Sequence, residues 1–178
     1  MTDVGAAVAL TTARLTLRPP VLEDARVIAR LANSPAVAKE TFALPYPFSS
    51  EDARAWIEGR DGHRFVIADT ESSQLYGCIE IFQRDEDWEL GLWLGRAHWN
   101  QGFGTEALLA LGPHALIELG LKRLTAPVFA EHGAGLRLME KAGFAFVGSR
   151  VEYLEHRGGK REVVWFVLGL EHLPGAAR

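Results

Sequence analysis

The sequence contains almost no cysteine, because Cys78 is the only one in 178 residues. One thiol cannot form an internal disulfide, and it cannot supply the several thiolates of a cysteine-based zinc cluster. The six histidines, at positions 63, 98, 114, 132, 156 and 172, show no H-x-x-x-H spacing on one helix. The sequence therefore predicts no disulfide scaffold and no metal site, and it predicts Cys78 to be a small buried apolar side chain.

Long hydrophobic runs and strong charge are missing as well. No window approaches the roughly 18 apolar residues of a membrane-spanning helix. The first ten residues carry Asp3 but no Lys or Arg, unlike a secretory signal. The net charge is −4, from 19 basic and 23 acidic residues that form no long blocks. We therefore expect a cytoplasmic protein that binds neither a membrane nor nucleic acid.

Apolar periodicity along the chain predicts one domain, with a core from about residue 11 to residue 171. The segment 33–48 carries three prolines and is expected to be a loop with short turns. A strand–helix–strand unit in the second half requires a parallel crossover, so the expected class is α/β, with a mixed sheet and helices on both faces. The predicted strands are 14–18, 65–68, 75–82, 88–94, 124–129, 144–153 and 161–169. The predicted helices are 22–32, a second capped by Ser49 or Ser50 and ending at 58 before Gly59, 105–119 and 135–142.

A glycine-rich turn follows the strand at 88–94 and opens the next helix. Gly102 and Gly104 flank Phe103, and a backbone without Cβ atoms can bend sharply and approach a ligand oxygen. The unpaired amides of the first helical turn, from Thr105 onward, would point at an anion, and the helix dipole would add to the attraction. This arrangement predicts a phosphate-binding loop.

Two other kinds of phosphate site can be compared with this loop. Gly102, Gly104 and Ala107 satisfy the dinucleotide pattern G-x-G-x-x-A. That pattern requires a βαβ unit near the start of a parallel sheet. Predicted antiparallel hairpins precede this loop, and too little chain follows it for the second half of a dinucleotide-binding fold, so a dinucleotide site is disfavoured. A Walker P-loop is excluded because G-x-x-x-x-G-K-[ST] does not occur.

The chain contains six ordered motifs: T-T-A-R-L-T-L-R-P at 11–19, L-E-D-A at 22–25, L-Y-G-C-I at 75–79, E-L-G-L-W-L at 89–94, W-N-Q-G-F-G-T-E-A at 99–107 and L-M-E-K-A-G-F at 138–144. Together they resemble the GNAT superfamily of acyl-CoA-dependent N-acetyltransferases, in particular its RimJ/RimL-like ribosomal-protein branch. The resemblance covers nearly the whole chain. It implies the GNAT fold with about seven strands, acetyl-CoA as co-substrate and a primary amine as acceptor. Relatives are frequently dimers, which makes a homodimer a further expectation.

By this resemblance, the loop 100–105 binds the pyrophosphate of coenzyme A, and the strand end near Trp93 and Leu94 pairs its backbone with the pantetheine arm. Three residues depart from the family pattern. His132 and Gly135 replace an asparagine and a serine, and Met139 replaces a tyrosine that protonates the leaving thiolate. The implied coenzyme A contacts are Trp93, Leu94, Asn100, Gln101, Gly102, Phe103, Gly104, Thr105 and His132.

The expected reaction is attack of a neutral amine on the acetyl-CoA thioester. At pH 7, deprotonating a lysine of pKa about 10.4 costs roughly 4.6 kcal/mol, whereas deprotonating an α-amine near 7.8 costs about 1.1 kcal/mol. A protein N-terminal α-amine is therefore the easier acceptor. Two alternatives remain: a polyamine or antibiotic acetyltransferase with the same cofactor site and, given the three departures, a non-catalytic acyl-CoA-binding protein.

Glu89 is the candidate general base. It precedes the glycine loop on the same strand, as a glutamate does in histone-acetylating GNAT relatives, and it alternates with Gly91 on one face. The alternative is that Glu89 ends the acidic run D-E-D-W-E and points to solvent. In that case the base is Glu80 on the neighbouring strand, or water alone. Four further residues are expected at the surface: Arg137 and Lys141 on a solvated helix face, and Tyr153 and His156 on a hairpin or at the acceptor entrance.

Overall fold

A mixed sheet organises the protein, which a computed structural model describes over residues 8–42, 44–154 and 158–175. In these residues the sheet has eight strands: β1 (Leu10–Thr11), β2 (Leu15–Arg18), β3 (Gly62–Asp69), β4 (Leu75–Arg84), β5 (Asp87–Leu94), β6 (Arg123–Phe129), β7 (Ala145–Leu154) and β8 (Gly159–Gly169). Their spatial order is β1-β2-β3-β4-β5-β6-β8-β7, and every neighbouring pair is antiparallel except β5 with β6. The predicted mixed α/β class is confirmed, and the short strand β1 adds one to the seven strands predicted.

Five α-helices lie within the described ranges: α1 (Ala25–Ala32), α2 (Pro35–Glu40), α3 (Ser50–Glu58), α4 (Phe103–Pro113) and α5 (Gly133–Lys141). The predicted loop at 33–48 is wrong in part, because α2 occupies its first half. Pro35 stands at the start of that helix, where its missing N–H is not needed and its fixed φ is already helical. Helix α4 begins two residues before the predicted start and continues into a π-helical turn, His114–Glu118.

Alternation along the strands builds a hydrophobic core on each face of the sheet. Ile79 and Ile81 of β4 lie in the core that contains α4, whereas Cys78 faces the core that contains α1 and α3. Burial raises the pKa of the Cys78 thiol well above its usual value, so this side chain is the buried apolar group that the sequence predicts. In the part of the chain that the structure describes, no helix is long and apolar enough to cross a membrane.

The parallel pairing of β5 with β6 is short. Trp88 pairs with Leu124 and Glu89 pairs with Thr125, as expected for the predicted crossover through α4. Beyond these pairs the two strands diverge, and within the described residues 90–94 and 126–129 there is no further pairing between them. The divergence leaves a V-shaped opening in the middle of the sheet, with one unpaired backbone edge on each side.

Glu106, in the first turn of α4, ties this helix to the turn between β1 and β2. Its carboxylate accepts hydrogen bonds from the Thr12 hydroxyl at 2.6 Å, the Arg14 amide at 2.9 Å and the Arg14 Nε at 2.7 Å. Burial raises the pKa of Glu106, but these hydrogen bonds outweigh that effect and the net pKa lies below its usual value. The start of α4 is therefore fixed by a contact with a distant part of the chain.

Glu106→Gln should lower the free energy of unfolding at pH 7 by about 1–2 kcal/mol, because hydrogen bonds to a charged group are lost. A lowered carboxyl pKa stabilises the fold above the unfolded pKa of about 4.3, and this contribution is lost as the pH falls through the folded value. The difference between wild type and variant should therefore shrink from pH 7 to pH 3.5 in urea unfolding. An equal difference at both pH values would contradict this role for the Glu106 charge.

Candidate active site

A cavity of about 700 Å³ lies where β5 and β6 diverge. Residues 90–94 and 126–128 line its sides, and the first turns of α4 and α5 also border it. Residues from α2 and from the segment that follows it complete the lining. A volume of this order is typical of sites that bind small molecules and cofactors.

The start of α4 presents free backbone amides to the cavity. Asn100 and Gly102 have positive φ angles of 59° and 81°, and glycine adopts the second without steric cost. The first helical hydrogen bond runs from the Glu106 amide to the Gly102 carbonyl, at 3.0 Å. No described group accepts a hydrogen bond from the amides of residues 102–105. These N–H groups are therefore available to an anion, as the glycine pattern predicts.

Contacts within the loop, and one from the turn between β1 and β2, hold this turn in place. The Trp99 indole N–H donates to the Leu94 carbonyl at 2.7 Å, and the Gln101 side-chain amide donates to the Ala97 carbonyl at 2.8 Å. Arg14 reaches across from its distant position and donates to the Gln101 carbonyl at 3.0 Å. Leu94 and Gln101, both predicted as cofactor contacts, therefore have a structural role in shaping the loop.

Gly104 has a packing role in addition to the role that the sequence suggests. A Cβ added at this position would lie 2.5 Å from Cδ1 of Leu138, on α5. The glycine therefore permits close packing of α4 against α5, whereas the sequence analysis explained it by the approach of a ligand oxygen. This packing brings the N-terminal turns of both helices to the same cavity.

Two cations of α5 border the cavity. Arg137 and Lys141 are exposed, as predicted, but the surface they occupy adjoins the glycine loop. Lys141 also borders a shallow depression that includes Gly102 and Thr105. The four-residue spacing puts both cations on one helix face, which the sequence predicted to be solvated. Their charge is available to an anion held at the start of α4.

Glu89 is buried at the point where β5 and β6 begin to diverge. It is only 3% exposed and lines the cavity, so the alternative that it points to solvent is wrong. Its Oε2 lies 3.5 Å from Nε of Arg84. Burial raises the pKa of Glu89, and Arg84 opposes that shift in part. A carboxylate with a raised pKa beside a cavity has the property required of a general base near neutral pH.

Glu80 lines the same cavity from β4, but its carboxylate is more firmly held. Its Oε2 accepts a hydrogen bond from the Trp56 indole at 2.8 Å and lies 3.5 Å from Nε of Arg64. Burial raises the pKa of Glu80. A Cβ at the opposing Gly91 would lie 3.2 Å from the Glu80 side chain, so the glycine keeps space open between the two carboxylates.

Comparison with known proteins identifies the chain. Residues 14–145 match the family model described as an acetyltransferase (GNAT) domain. The chain belongs to the GNAT family. A GNAT member is an acyltransferase that uses acetyl-CoA, and the predicted family and enzyme class are confirmed.

Several relatives of this GNAT protein match it over most of its length. The uncharacterized N-acetyltransferase p20 of Bacillus licheniformis is 32% identical over 170 residues, which is 89% of this chain and 94% of that protein. Spermidine N-acetyltransferase from Vibrio cholerae, solved with CoA and spermine, has a TM-score of 0.78 at 21% identity, covering 90% of this chain and 98% of that one. Ribosomal-protein-S5-alanine acetyltransferase from Vibrio fischeri has a TM-score of 0.79 at 16% identity, covering 94% and 100%. At these identities the two solved structures establish a shared fold.

The chemistry of the cavity fits coenzyme A, the group that a GNAT acetyltransferase binds. Free amides at residues 102–105 suit a diphosphate, and exposed cations stand beside them. The unpaired edge of β5 at 90–94 can form strand-like hydrogen bonds with the amide groups of a pantetheine arm. Among the described residues, no cluster of three or more His, Cys, Asp or Glu side chains could hold a metal ion.

Two of the three departures from the GNAT pattern, His132 and Gly135, lie in contact at the start of α5, and Met139 lies further along that helix. A Cβ at Gly135 would lie 2.7 Å from Nδ1 of His132, so the imidazole occupies space that a serine would need. His132 Nδ1 also lies 3.5 Å from Oε2 of Glu40, on α2. Burial lowers the pKa of His132, although Glu40 raises it in part. Met139 is buried in the core and lines the cavity without a group that can donate a proton.

The remaining predicted surface residues lie outside the cavity or outside the described chain. Tyr153 is 71% exposed on β7, on the hairpin surface rather than in the cavity lining. His156 falls outside the described residues. Phe48, Trp56 and Phe82, which the sequence did not indicate as site residues, also line the cavity.

Gly104→Val should lower the free energy of unfolding by about 1–3 kcal/mol, because the new side chain overlaps Leu138. It should also reduce the rise in melting temperature that acetyl-CoA produces, because α4 and α5 are pushed apart. The double variant Gly104→Val/Leu138→Ala should recover part of both losses, with Leu138→Ala alone as the control. If the double variant is no better than Gly104→Val, the collision is not with Leu138.

Proposed function

We propose that this GNAT protein transfers the acetyl group of acetyl-CoA to the α-amine of a protein or peptide N-terminus. The observation that carries the proposal is the position of Glu89, which is buried at the apex of the V between β5 and β6 and faces the same cavity as the start of α4. A thioester bound between the strands would lie close to this carboxylate. The amine would approach from the side of the cavity that Glu80 and Glu89 share.

Coenzyme A is held by groups of the backbone and by α5. The amides of residues 102–105 bind the diphosphate, Arg137 and Lys141 add positive charge, and the free edge of β5 near Trp93 pairs with the pantetheine arm. Cations near an anion site act over several ångströms, since the interaction is Coulombic and is weakened by salt. This assignment places the thioester end of the arm toward the apex of the V.

The chemical step needs one base and a donor for the oxyanion. The amine nitrogen loses one proton to Glu89, directly or through water, and bonds to the acetyl carbonyl carbon. Unpaired backbone N–H groups on the edge of β5 donate to the oxyanion that forms. The carbon–sulfur bond then breaks, and the thiolate takes a proton from water. The thiolate of a thiol with pKa about 8.5 is a tolerable leaving group, so Met139 in place of a proton donor does not prevent turnover.

A single α-amine suits the electrostatics of the cavity better than a polycation. Four carboxylates of the described residues line it, and each already has a partner of its own. A polyamine would have to compete with all of these partners, whereas one amine needs only Glu89 or Glu80. The pairs are Glu40 with His132, Glu80 with Arg64 and Trp56, Glu89 with Arg84, and Glu131 with Arg161.

A polyamine acetyltransferase is the second candidate, because the same four carboxylates would attract several ammonium groups if their partners could be displaced. The spermidine N-acetyltransferase of similar fold was solved with spermine bound. Mass spectrometry of reactions with a peptide library and with spermidine separates the two candidates. Acetylated peptide termini would support our proposal, acetylated spermidine alone would replace it, and binding of acetyl-CoA without any product would indicate a non-catalytic protein.

Glu89→Gln should lower kcat about 100-fold or more, because general base catalysis contributes a factor of that order. The melting-temperature rise with acetyl-CoA should be unchanged, since Glu89 is not in the phosphate loop. Glu80→Gln is the matched control, which retains the hydrogen bond from Trp56. A larger loss of kcat in the Glu80 variant than in the Glu89 variant would move the base to Glu80.

Arg84→Ala should shift the acidic limb of the kcat profile to higher pH. The Arg84 cation lowers the pKa of Glu89, so removing it allows burial to raise that pKa further. The base is active when deprotonated, so turnover rises with pH through this pKa. Initial rates from pH 5 to pH 9 test the shift, and an unmoved acidic limb would show that Glu89 does not set it.

A further inference from the structure

Aromatic side chains line the cavity beside the carboxylate of Glu80. Phe82 lies on the same face of β4 as Glu80. A Cβ added at Gly91 would lie 3.7 Å from the Phe82 ring. Phe48 and Trp56 line the cavity next to the core that contains α1 and α3, and Phe48 is only 6% exposed. Three aromatic side chains thus line the cavity, with Trp56 beside Glu80 and Phe82 beside Gly91.

One of these aromatic side chains is fixed by the carboxylate beside it. The Trp56 indole donates its N–H to Glu80 at 2.8 Å, and the Arg64 guanidinium carbon lies 5.9 Å from the centre of the Trp56 ring. A ring held on its edge and approached by a cation cannot turn freely, so the pocket has a defined shape. A fixed apolar wall can discriminate between side chains by size, because it does not adjust to a smaller one.

We propose that the acceptor carries a large apolar side chain on the carbon that bears the reacting α-amine, and that Phe48, Trp56 and Phe82 receive this side chain. The inference rests on the proposed function and adds the class of the first residue. The amine would sit between Glu89 and Glu80, whose separation the absent side chain of Gly91 keeps open. The attached side chain would then point away from coenzyme A into the aromatic pocket.

The energetic consequence is a preference for size. One methylene group in an enclosed apolar pocket changes kcat/KM about 10–200-fold. A peptide that begins with Leu or Phe should therefore exceed one that begins with Gly or Ser by about tenfold or more. A polar hydroxyl in this pocket would lose its water without gaining a hydrogen bond from the aromatic walls.

The test uses four peptides that differ only at residue 1, which is Gly, Ser, Leu or Phe, with kcat/KM measured for the wild-type enzyme. Phenylalaninamide, which has the same α-amine and side chain but no peptide, is a fifth substrate, and its kcat/KM shows whether the enzyme requires a peptide. We expect Leu and Phe peptides to exceed Gly and Ser peptides at least tenfold. Equal values, or a preference for Gly or Ser, would overturn the inference while leaving the proposed function intact. No acetylation of any peptide would overturn both.

Two variants locate the preference in the structure. Phe82→Ala should reduce the Phe/Gly ratio of kcat/KM about tenfold, and Trp56→Phe, which keeps a ring but removes the N–H that holds Glu80, should reduce it less. Phe146→Ala is the control, since this phenylalanine is 66% exposed and does not line the cavity. An unchanged ratio in Phe82→Ala would overturn the assignment of the pocket. If that variant does not fold, the wild-type panel still decides the preference.

Discussion

The parallel pairing of β5 with β6 ends after two residue pairs, and the arrangement of the whole site depends on that separation. Divergence opens the cavity, frees a backbone edge for hydrogen bonding, and leaves Glu89 at the apex where both strands are still joined. Continued pairing would have satisfied these backbone groups within the sheet and closed the space between them. The reactive part of the molecule is thus built from a sheet that is left incomplete.

The two ends of this opening are lined by groups of different charge. The close approach of α5 to α4, which Gly104 permits, brings two helix N-terminal turns and the cations of α5 to one end of the cavity. Carboxylates and aromatic rings line the other side, where Trp56 donates a hydrogen bond to Glu80 and Arg84 lies 3.5 Å from Glu89. A negatively charged co-substrate and an amine are therefore attracted to different ends of the same space.

Local signals in the sequence were sufficient for seven of the eight strands, the crossover and the turn at Gly102, because alternation and glycine chemistry act over a few residues. Contacts between distant segments could not be predicted in this way. Glu106 contacts Arg14 across 92 positions, Gly104 packs against Leu138 of α5, and the burial of Glu89 depends on the neighbouring strands. Helix α2 was missed because the three prolines of the segment 33–48 were interpreted as breakers, although a proline at the first helical position favours a helix.

A crystal structure of the protein with coenzyme A bound tests the central claim most directly. We predict the diphosphate within hydrogen-bonding distance of the amides of residues 102–105, and the pantetheine arm running between β5 and β6 with its sulfur toward Glu89. A diphosphate bound away from the start of α4, or an arm that leaves the opening between β5 and β6 empty, would contradict the account.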